Sequence, residues 1–367
     1  MNKIKTGIIG CGNISAIYLK NLKLFDSVEL AAVSDLDLKK AEARAAEFKI
    51  AKVLAPEKLL KDKDIELVIN LTIPKAHKEV ALAAIEAGKS VYNEKPLAIT
   101  REEGKKIIEA AKKKNVLVGC APDTFMGAGI QTCRKIIDSR ELGEPVAAAA
   151  FMACPGHEGW HPGPEFYYQK GGGPLFDMGP YYLTALVNLL GPVKRVTGSA
   201  RISFKERLIT SQPKNGQKIK VEVPTHIAGV LDFKAGPVVT LITSFDVKAS
   251  TLPVMEIYCG QGTLSVPDPN TFSGPVRVKR TAQPEWQEVP LVFGYSGNSR
   301  GLGVADMACA LLSKRKHRAS GELAFHVLDI MQALHEASEK GRHIQLKSSC
   351  ERPEPMKAGL KEFELEK

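Results

Sequence analysis

The 367-residue sequence lacks the features of a membrane, collagen-like or low-complexity protein. No apolar run reaches the roughly 18 residues that a membrane-spanning helix needs, so we expect no membrane partner. Glycine and proline number only 31 and 22, which excludes a collagen-like or disordered chain. Aromatic residues make up 6% of the chain, but apolar residues make up 44% and charged residues 25%, which is typical of a globular protein.

Paired cysteines are also missing. The seven cysteines are odd in number, and no two of them stand in a CxxC spacing. This pattern argues against a disulfide framework and against a zinc site, so we predict no metal. Reduced cysteines favour the cytoplasm. The start, MNKIKTGIIGCGN, has only a short apolar stretch before a Gly-rich turn, which predicts a first strand rather than a signal peptide.

The chain carries an excess of basic residues, 51 against 41 acidic ones, for a net charge of +10. Such an excess can indicate nucleic acid or an anionic surface as a partner. However, the basic clusters Lys112–Lys114 and Lys314–Lys316 are short and lie near the ends of predicted helices, where cations complement the helix dipole. No aromatic residues alternate with them to form a stacking surface. We therefore expect no nucleic-acid partner.

About the first 120 residues alternate short apolar strands with helical patterns. The predicted strands are 5–9, 28–34, 67–72, 90–93 and 116–120. The helices between them include 37–48 and 75–87, and Thr100 with Glu103 forms a capping box at the start of the last one. Repeated β-α-β units of this kind predict a parallel sheet with helices on both faces.

After the last of these strands the pattern changes. One helix is predicted at about 130–139. Several later segments alternate apolar and polar residues, as antiparallel strands with one solvated face do. These segments are 225–233, 238–247, 254–266 and 276–292. From 301 to 340 the pattern is helical again, with Ser320 as a helix N-cap, and the residues after about 348 form either a final strand or a tail.

The strongest motif is Gly10-Cys11-Gly12-Asn13-Ile14-Ser15, which follows a predicted strand and begins a helix. Gly10 allows a tight turn, and Gly12 lets the backbone approach a pyrophosphate. The helix start at Asn13 and Ile14 offers free N–H groups and the positive end of the helix dipole. Ser15 stands where the dinucleotide fingerprint has Gly or Ala. The context predicts that these residues bind a dinucleotide.

Asp35 follows the second predicted strand. An acidic residue roughly 20 residues beyond the first glycine accepts hydrogen bonds from the adenosine ribose hydroxyls. Its charge repels the 2′-phosphate of NADP, so NAD is the predicted cofactor and NADP the less favoured one. The other interpretation of Asp35 is a turn or cap residue, but Asp37 is the better candidate for the cap.

A family resemblance is carried by the segments GIIGCGNIS, LTIPKAH, NEKPLA and GGGPLFDMGPYY, in that order, and by RGLGVADMA and RASGELAFHVLDIM near the end. Together they resemble the Gfo/Idh/MocA oxidoreductases. The resemblance covers nearly the whole chain and implies an α/β N-terminal Rossmann domain plus an α+β C-terminal domain with a large, open, mostly antiparallel sheet. We place the NAD-binding domain at 1–121 and the substrate-binding and oligomerisation domain at 122–367.

The resemblance also implies a function. Such proteins use NAD(P) to oxidise or reduce one ring hydroxyl or keto group of a sugar, sugar derivative or inositol. By similarity, Lys95 contacts the substrate and the nicotinamide ribose, and Asp177 binds a substrate hydroxyl. His77 orders a turn near the cofactor. The remaining cofactor-binding residues that we carry over are Thr72, Pro74 and Glu94.

Position 181 departs from the family pattern. Many relatives have a histidine four residues after the aspartate as the acid/base, but here the residue is Tyr181. A phenol has a pKa near ~10, and a neighbouring ammonium lowers it, so Lys95 and Tyr181 form a workable acid/base pair. The alternatives are a structural Tyr181 with the base elsewhere, the neighbouring Tyr182 in this role, or a loss of catalysis.

The substrate pocket is predicted to include the segment 155–162, because it is polar and contains an indole. Sugar rings place apolar C–H faces against aromatic rings and need side-chain partners for their hydroxyls. Trp160 and His161 are therefore predicted substrate contacts. A metal site there is not expected, because the four-residue spacing of its two histidines has no helical meaning in a Gly/Pro-rich loop.

We thus predict a cytoplasmic NAD-dependent dehydrogenase that acts on a carbohydrate or cyclitol. Two alternatives stay open: a glycosidase that uses NAD for a transient oxidation followed by elimination, and a non-catalytic dinucleotide-binding sensor or repressor. A homodimer or homotetramer is expected, because a second subunit would cover the open, half-apolar sheet.

Overall fold

A computed structural model of the chain describes residues 3–366, which form two compact units. The first unit contains the chain up to Ala128, the segment Val292–Phe325, and the segment from Pro353 onward. The second contains Gly129–Leu291 and His326–Arg352. This division differs from the sequence-based boundary at residue 121, because two late segments pack with the first unit. The amphipathic pattern of a helix shows that one of its faces is buried, but it does not show which of the two units that face packs against.

The first unit contains a six-stranded, all-parallel sheet, as predicted. Its strands are β1 (Ile4–Ile9), β2 (Val28–Ser34), β3 (Lys52–Val53), β4 (Leu67–Asn70), β5 (Ser90–Asn93) and β6 (Val118–Cys120). Their spatial order is β3-β2-β1-β4-β5-β6, so the order reverses between β1 and β4. Ligands of doubly wound sheets bind outside the carboxyl ends of the strands at this reversal.

The first helices follow the same strands. They are α1 (Ser15–Leu22), α2 (Leu38–Phe48), α3 (Pro56–Lys61), α4 (His77–Glu86) and α5 (Arg101–Lys114). Asp37 caps α2 by accepting a hydrogen bond from the Lys39 N–H (3.2 Å), and Thr100 caps α5 by accepting one from the Glu103 N–H (3.2 Å). Both caps were predicted. Sequence analysis missed β3 and α3, because two and six residues are too few to show a period.

The second unit contains a mixed sheet and several helices. Its elements are α6 (Ala128–Ser139), β7 (Pro145–Ala153), α7 (Pro174–Asp177), α8 (Gly179–Leu190), β8 (Val193–Arg201), β9 (Glu206–Leu208), β10 (Lys218–Lys220), β11 (His226–Phe233), β12 (Val238–Ser244), β13 (Met255–Cys259), β14 (Gly262–Val266), β15 (Val276–Arg280), β16 (Gln287–Val289) and β17 (Ile344–Gln345). Nine strands form one sheet in the order β16-β15-β14-β13-β7-β12-β11-β8-β17, and β9 pairs with β10 separately.

The large sheet is mostly antiparallel, which confirms the expected fold class. Only the pair β7 and β12 is parallel among its neighbouring strands in the described chain. In β11, Ile227, Leu231 and Phe233 are buried and alternate with half-exposed residues, as predicted. The helices α7 and α8 pack against β7, β11 and β12, and every residue of α8 is buried. One face of the sheet therefore carries the core of this unit.

Two more helices complete the described chain, α9 (Leu302–Ser313) in the first unit and α10 (Gly321–Lys340). The Ser320 hydroxyl oxygen accepts a hydrogen bond from the Leu323 N–H (3.2 Å), so the predicted cap of α10 is confirmed. Residues 349–366 contain neither helix nor strand. Over residues 3–366, we find no helix with the length and apolarity needed to cross a membrane.

Candidate active site

The tight turn after β1 requires glycine at position 10. Gly10 has a φ of +106°, and its N–H donates to the Ser34 carbonyl oxygen (2.8 Å). A Cβ atom at this position would lie 2.6 Å from the carbonyl carbon and oxygen of Leu71. Only a residue without a side chain allows this close approach of the two backbones, at the point where the strand order reverses.

The rest of the loop offers space and donors for a phosphate group. A Cβ atom added to Gly12 would meet no atom within 4 Å. None of the described residues accepts a hydrogen bond from the backbone N–H of Gly12, Asn13 or Ile14. The hydroxyl of the buried Ser15 donates to the Gly12 carbonyl oxygen (2.6 Å), which explains how serine replaces the usual Gly or Ala. This open, donor-rich helix start fits the pyrophosphate of a dinucleotide.

Asp35 lies beside the same loop, immediately after β2. Its Oδ2 accepts the Cys11 N–H (2.7 Å), and its Oδ1 accepts the Asp37 N–H (2.9 Å). The carboxylate is therefore held against the Gly-rich loop by backbone donors, while the side chain stays partly exposed. Because a carboxylate has about four acceptor positions, it can also accept ribose hydroxyls.

Two buried asparagines at the ends of β4 and β5 are candidate site residues that sequence analysis missed. Asn70 and Asn93 are both fully buried, and the Asn70 amide N–H donates to the Asn93 Oδ1 (3.0 Å). The Thr72 hydroxyl donates to the Asn70 Oδ1 (2.6 Å), and the Asn93 amide donates to the Leu97 carbonyl oxygen (3.2 Å). Both segments, LVIN and SVYN, end an apolar strand with asparagine, and this signal could have identified them.

His77 joins the two loops that follow these strands. Its Nδ1 lies 2.6 Å from the Pro96 carbonyl oxygen, and its Nε2 lies 3.0 Å from the Thr72 carbonyl oxygen. The ring is fully buried, and burial lowers the pKa of His77 against the opposing effect of these two carbonyls. Because both nitrogens face the backbone and no surface is exposed, His77 can position this edge of the sheet but cannot touch a cofactor. Pro74 begins a short 3₁₀ turn just before it.

Glu94 and Lys95 follow β5 at the same edge. The Glu94 carboxylate accepts the Tyr18 hydroxyl (2.8 Å) and the Lys95 N–H (2.9 Å). Burial, and then the Glu94 charge, raise the pKa of Tyr18 well above its usual value, so that this tyrosine is a neutral donor. Glu94 is therefore engaged within the fold and orients the backbone of Lys95, whose peptide bond to Pro96 is cis.

The predicted substrate residues lie in the second unit. Asp177 ends α7, and Tyr181 and Tyr182 lie in the first turn of α8. Both tyrosines are buried, and burial raises the pKa of Tyr182, which disfavours a proton-transfer role for it. Lys95 and Tyr181 belong to different compact units, and their pairing stays a prediction.

A histidine that sequence analysis did not select lies beside Asp177. The His157 Nε2 lies 3.3 Å from the Asp177 Oδ2, with the His157 side chain only 12% exposed. Its ring contacts Phe245 at 4.6 Å between centroids. The predicted contact His161 instead accepts the Gly163 N–H on its Nδ1 (3.0 Å). Sequence spacing could not distinguish the two histidines of one loop, because a loop has no fixed side-chain period.

A buried arginine holds the loop that carries His157. The Arg207 guanidinium, on β9, donates to the Glu158 Oε1 (2.6 Å), to Asp246 and to the Phe245 carbonyl oxygen (2.9 Å). Tyr168 donates its hydroxyl to Glu158 as well. Three largely buried charged groups are thus joined by direct hydrogen bonds, and Arg207 is the cation that links the two carboxylates.

We predict that Arg207→Met lowers the free energy of unfolding by about 3–5 kcal/mol, because it leaves buried carboxylates without their cation. Urea denaturation followed by circular dichroism measures this loss. The control is Lys218→Met on the paired strand β10, whose ion pair with Glu206 is exposed and should contribute almost nothing. Equal stability of the two variants would contradict a supporting role for Arg207.

Metal-binding chemistry has no visible basis in the described part of the chain. Residues 3–366 contain no group of three or more His, Cys, Asp or Glu side chains arranged to hold an ion. The seven cysteines are free thiols, and burial raises the pKa of Cys11, in the Gly-rich loop, to about 11. That thiol therefore stays protonated near neutral pH.

Comparison with known proteins assigns both parts of the chain to one family. The profile described as "Oxidoreductase family, NAD-binding Rossmann fold" matches residues 4–121. The profile described as "GFO/IDH/MocA C-terminal domain" matches residues 130–265. The two profiles lie in the same order as the parallel sheet and the mixed sheet of the structure.

Curated relatives are similar over part of their length. An inositol 2-dehydrogenase of Salmonella paratyphi B is 37% identical over 152 residues, which cover 39% of this chain and 44% of that protein. A 1,5-anhydro-D-fructose reductase of Ensifer adhaerens is 32% identical over 177 residues, which cover 47% of this chain and 52% of that protein. The chain thus spans about half the length of these curated relatives.

Solved structures share the fold over most of the chain. An NAD binding oxidoreductase from Klebsiella pneumoniae has a TM-score of 0.83 at 20% identity and covers 95% of this chain and 100% of its own. A levoglucosan dehydrogenase in complex with NADH and L-sorbose has a TM-score of 0.82 at 20% identity, with the same coverage. The protein belongs to the Gfo/Idh/MocA family of oxidoreductases, and its amino-terminal part is an NAD-binding Rossmann domain.

Proposed function

We propose that the protein is an NAD-dependent dehydrogenase that transfers a hydride between the nicotinamide and a ring carbon of a sugar, sugar derivative or inositol. The observation that carries this proposal is the carboxyl edge of the parallel sheet. There the open Gly12 loop, the Asp35 carboxylate and the Lys95 segment follow three strands of one doubly wound sheet. The curated relatives named above as inositol and anhydrofructose enzymes support the substrate class.

The cofactor would be held by the first unit. The N–H groups of Gly12, Asn13 and Ile14 would donate to the pyrophosphate, and Asp35 would accept hydrogen bonds from the adenosine ribose. When bound, the nicotinamide supplies the site that accepts or donates the hydride. The buried Asn70 and Asn93 hold the two neighbouring loops in place, so that the Lys95 segment has one conformation.

The substrate hydroxyl must lose its proton as the hydride leaves. We propose that the Tyr181 phenolate oxygen takes this proton and that the Lys95 ammonium stabilises the phenolate. Asp177 accepts a hydrogen bond from a substrate hydroxyl, and the His157 Nε2–H donates to the Asp177 Oδ2, which keeps that carboxylate oriented. Trp160 and His161 stay candidate substrate contacts.

A substrate panel tests this proposal. The purified protein is incubated with sugars, sugar derivatives and inositols in the presence of NAD or NADP, and the absorbance of reduced nicotinamide is followed. We expect NADH formation with at least one member. Cleavage of an aryl glycoside without net NADH would instead show an oxidation–elimination glycosidase, and dinucleotide binding without turnover of any member would show a sensor.

The cofactor preference depends on Asp35. We expect Asp35→Asn to raise the ratio of kcat/KM for NADP to that for NAD about tenfold or more, which corresponds to 1.4 kcal/mol. The amide oxygen can still accept one of the two backbone N–H groups, and the substitution removes the charge that repels a 2′-phosphate. Asp37→Asn, two residues away at the α2 cap, should leave the ratio unchanged. The same ratio in wild type and Asp35→Asn would contradict the assignment.

We also propose that copies of the chain associate through the uncovered face of the nine-stranded sheet. On this face the half-exposed Ile242 pairs in register with the half-exposed Phe151 of β7, and the exposed Thr240, two residues earlier in β12, pairs with the half-exposed Val230 of β11. Burial of such a face favours a dimer or tetramer. Sedimentation equilibrium should show an oligomer for the wild type and a smaller species for Thr240→Arg. A monomeric wild type would contradict this proposal. The cytoplasmic location of the protein stays a prediction.

A further inference from the structure

A row of aromatic side chains leads outward from Asp177. The His157 ring, beside the carboxylate, contacts the Trp160 ring at 5.4 Å and the Tyr167 ring at 4.1 Å between centroids. His161 contacts Trp160 at 5.3 Å and Phe166 at 5.4 Å. We call these five side chains, His157, Trp160, His161, Phe166 and Tyr167, the aromatic ledge.

The outer part of the ledge is exposed. The Trp160 side chain is 63% exposed and that of Phe166 is 49% exposed, whereas His157 is nearly buried. Within residues 3–366, no ring contact joins Phe166 to His157. Phe166 therefore lies more than one ring away from the His157–Asp177 pair, whereas Trp160 contacts the His157 ring directly.

The exposed rings lie on a loop that is held in place. The Ser211 hydroxyl donates to the His161 carbonyl oxygen (2.6 Å), and the Thr210 N–H donates to the Glu158 carbonyl oxygen (2.9 Å). The buried Arg207 holds the Glu158 side chain. An exposed aromatic surface that is already ordered binds a ring without the entropic cost of ordering the loop.

Polar groups border this surface. Glu165, adjacent to Phe166, pairs with Lys214, and both side chains are about one-third exposed. The combination of flat apolar rings with neighbouring charged hydrogen-bonding groups suits a ring that has an apolar face and polar edges.

We propose that the ledge is a second subsite and that the substrate is a glycoside rather than a free monosaccharide. The ring to be oxidised lies at Asp177, and the ring linked to it, a second sugar or an aryl group, stacks on Trp160 and Phe166. This inference rests on the proposed function for the identity of the first ring. The stacking itself is independent of catalysis.

Tryptophan fluorescence tests the stacking directly. The chain has only two tryptophans, so Trp286→Phe leaves Trp160 as the single reporter. The variant is titrated with maltose, cellobiose, phenyl α- and β-glucosides, and glucose as the one-ring control. We expect a saturable spectral change with at least one two-ring probe and a weaker change, or none, with glucose. A response to disaccharides alone would identify a second sugar, and a response to phenyl glucosides alone an aryl group.

Kinetics provide the second measurement. Phe166→Ala, at the ledge ring that does not contact His157, should lower kcat/KM about tenfold for the two-ring substrates and less than twofold for one-ring substrates. Trp286→Ala, at an exposed aromatic residue outside the ledge, should change neither. Equal losses for both substrate classes, or no fluorescence response to any two-ring probe, would overturn the subsite. Saturable fluorescence without turnover would preserve the subsite while the proposed dehydrogenase function fails.

Discussion

Replacing Lys95 with methionine should lower kcat by about 10²- to 10⁴-fold, the usual effect of losing general acid–base catalysis, while the Kd for NADH rises by a much smaller factor, because the ammonium would make only one of the contacts to the cofactor. Methionine keeps an unbranched apolar side chain but removes the ammonium that would stabilise the Tyr181 phenolate. The remaining activity should shift to higher pH, because loss of a neighbouring positive charge raises the pKa of a phenol. Steady-state kinetics across pH and fluorescence titration of NADH measure both effects.

Lys75→Met is the matched control, since Lys75 is an exposed lysine in the turn after β4 at the same edge of the sheet. It should retain wild-type kcat. A Lys95→Met enzyme with more than a tenth of the wild-type kcat would show that the ammonium is not required.

The same experiment can test whether Lys95 and Tyr181 act as a pair. Tyr181→Phe should cause a loss similar to that of Lys95→Met, and the double variant should be no slower than the slower single variant, because residues that act as a unit are not additive. Losses of activation free energy that add in the double variant would show that Lys95 and Tyr181 act independently. Full turnover by Tyr181→Phe would move the proton-accepting role to another group, and the Asp177–His157 pair would be the first to examine by His157→Gln.

The second large effect is expected at the Gly-rich loop. Gly12→Ala should raise the Kd for NADH by about a hundredfold without destabilising the fold, because the backbone there must approach the pyrophosphate closely. The added methyl group would meet no protein atom within 4 Å, so it occupies only the space through which the pyrophosphate would pass. Fluorescence titration gives the affinity, and urea denaturation gives the free energy of unfolding.

Two other glycines distinguish binding from folding. Gly260→Ala adds a methyl group that also meets no atom within 4 Å, but in the second unit, and it should change neither measurement. Gly10→Ala should instead lower the free energy of unfolding by about 2–6 kcal/mol, from backbone strain and overpacking against Leu71. Unchanged NADH affinity in Gly12→Ala would contradict the placement of the dinucleotide.

Local patterns in the sequence predicted much of the first unit. The bounds of β2 and β5 agree with the predicted 28–34 and 90–93, because short apolar runs between polar turns are unambiguous. Strand ends were less accurate where apolar residues continue past the sheet, as at β4, predicted to end at 72 and observed to end at Asn70. Caps such as Asp37 were predictable, because their chemistry depends only on neighbours in the chain.

The sequence by itself determined the two kinds of sheet, the Gly10–Ser15 turn and the position of Asp35 beside it, because each depends on contacts between residues close in the chain or on a strong motif. Only the tertiary structure decided that Asn70 bonds to Asn93, that His157 rather than His161 lies at Asp177, and that Arg207 holds their loop. These contacts join residues from separate strands and loops. Side-chain chemistry identifies the groups that can bond, but only the folded backbone brings particular partners within reach.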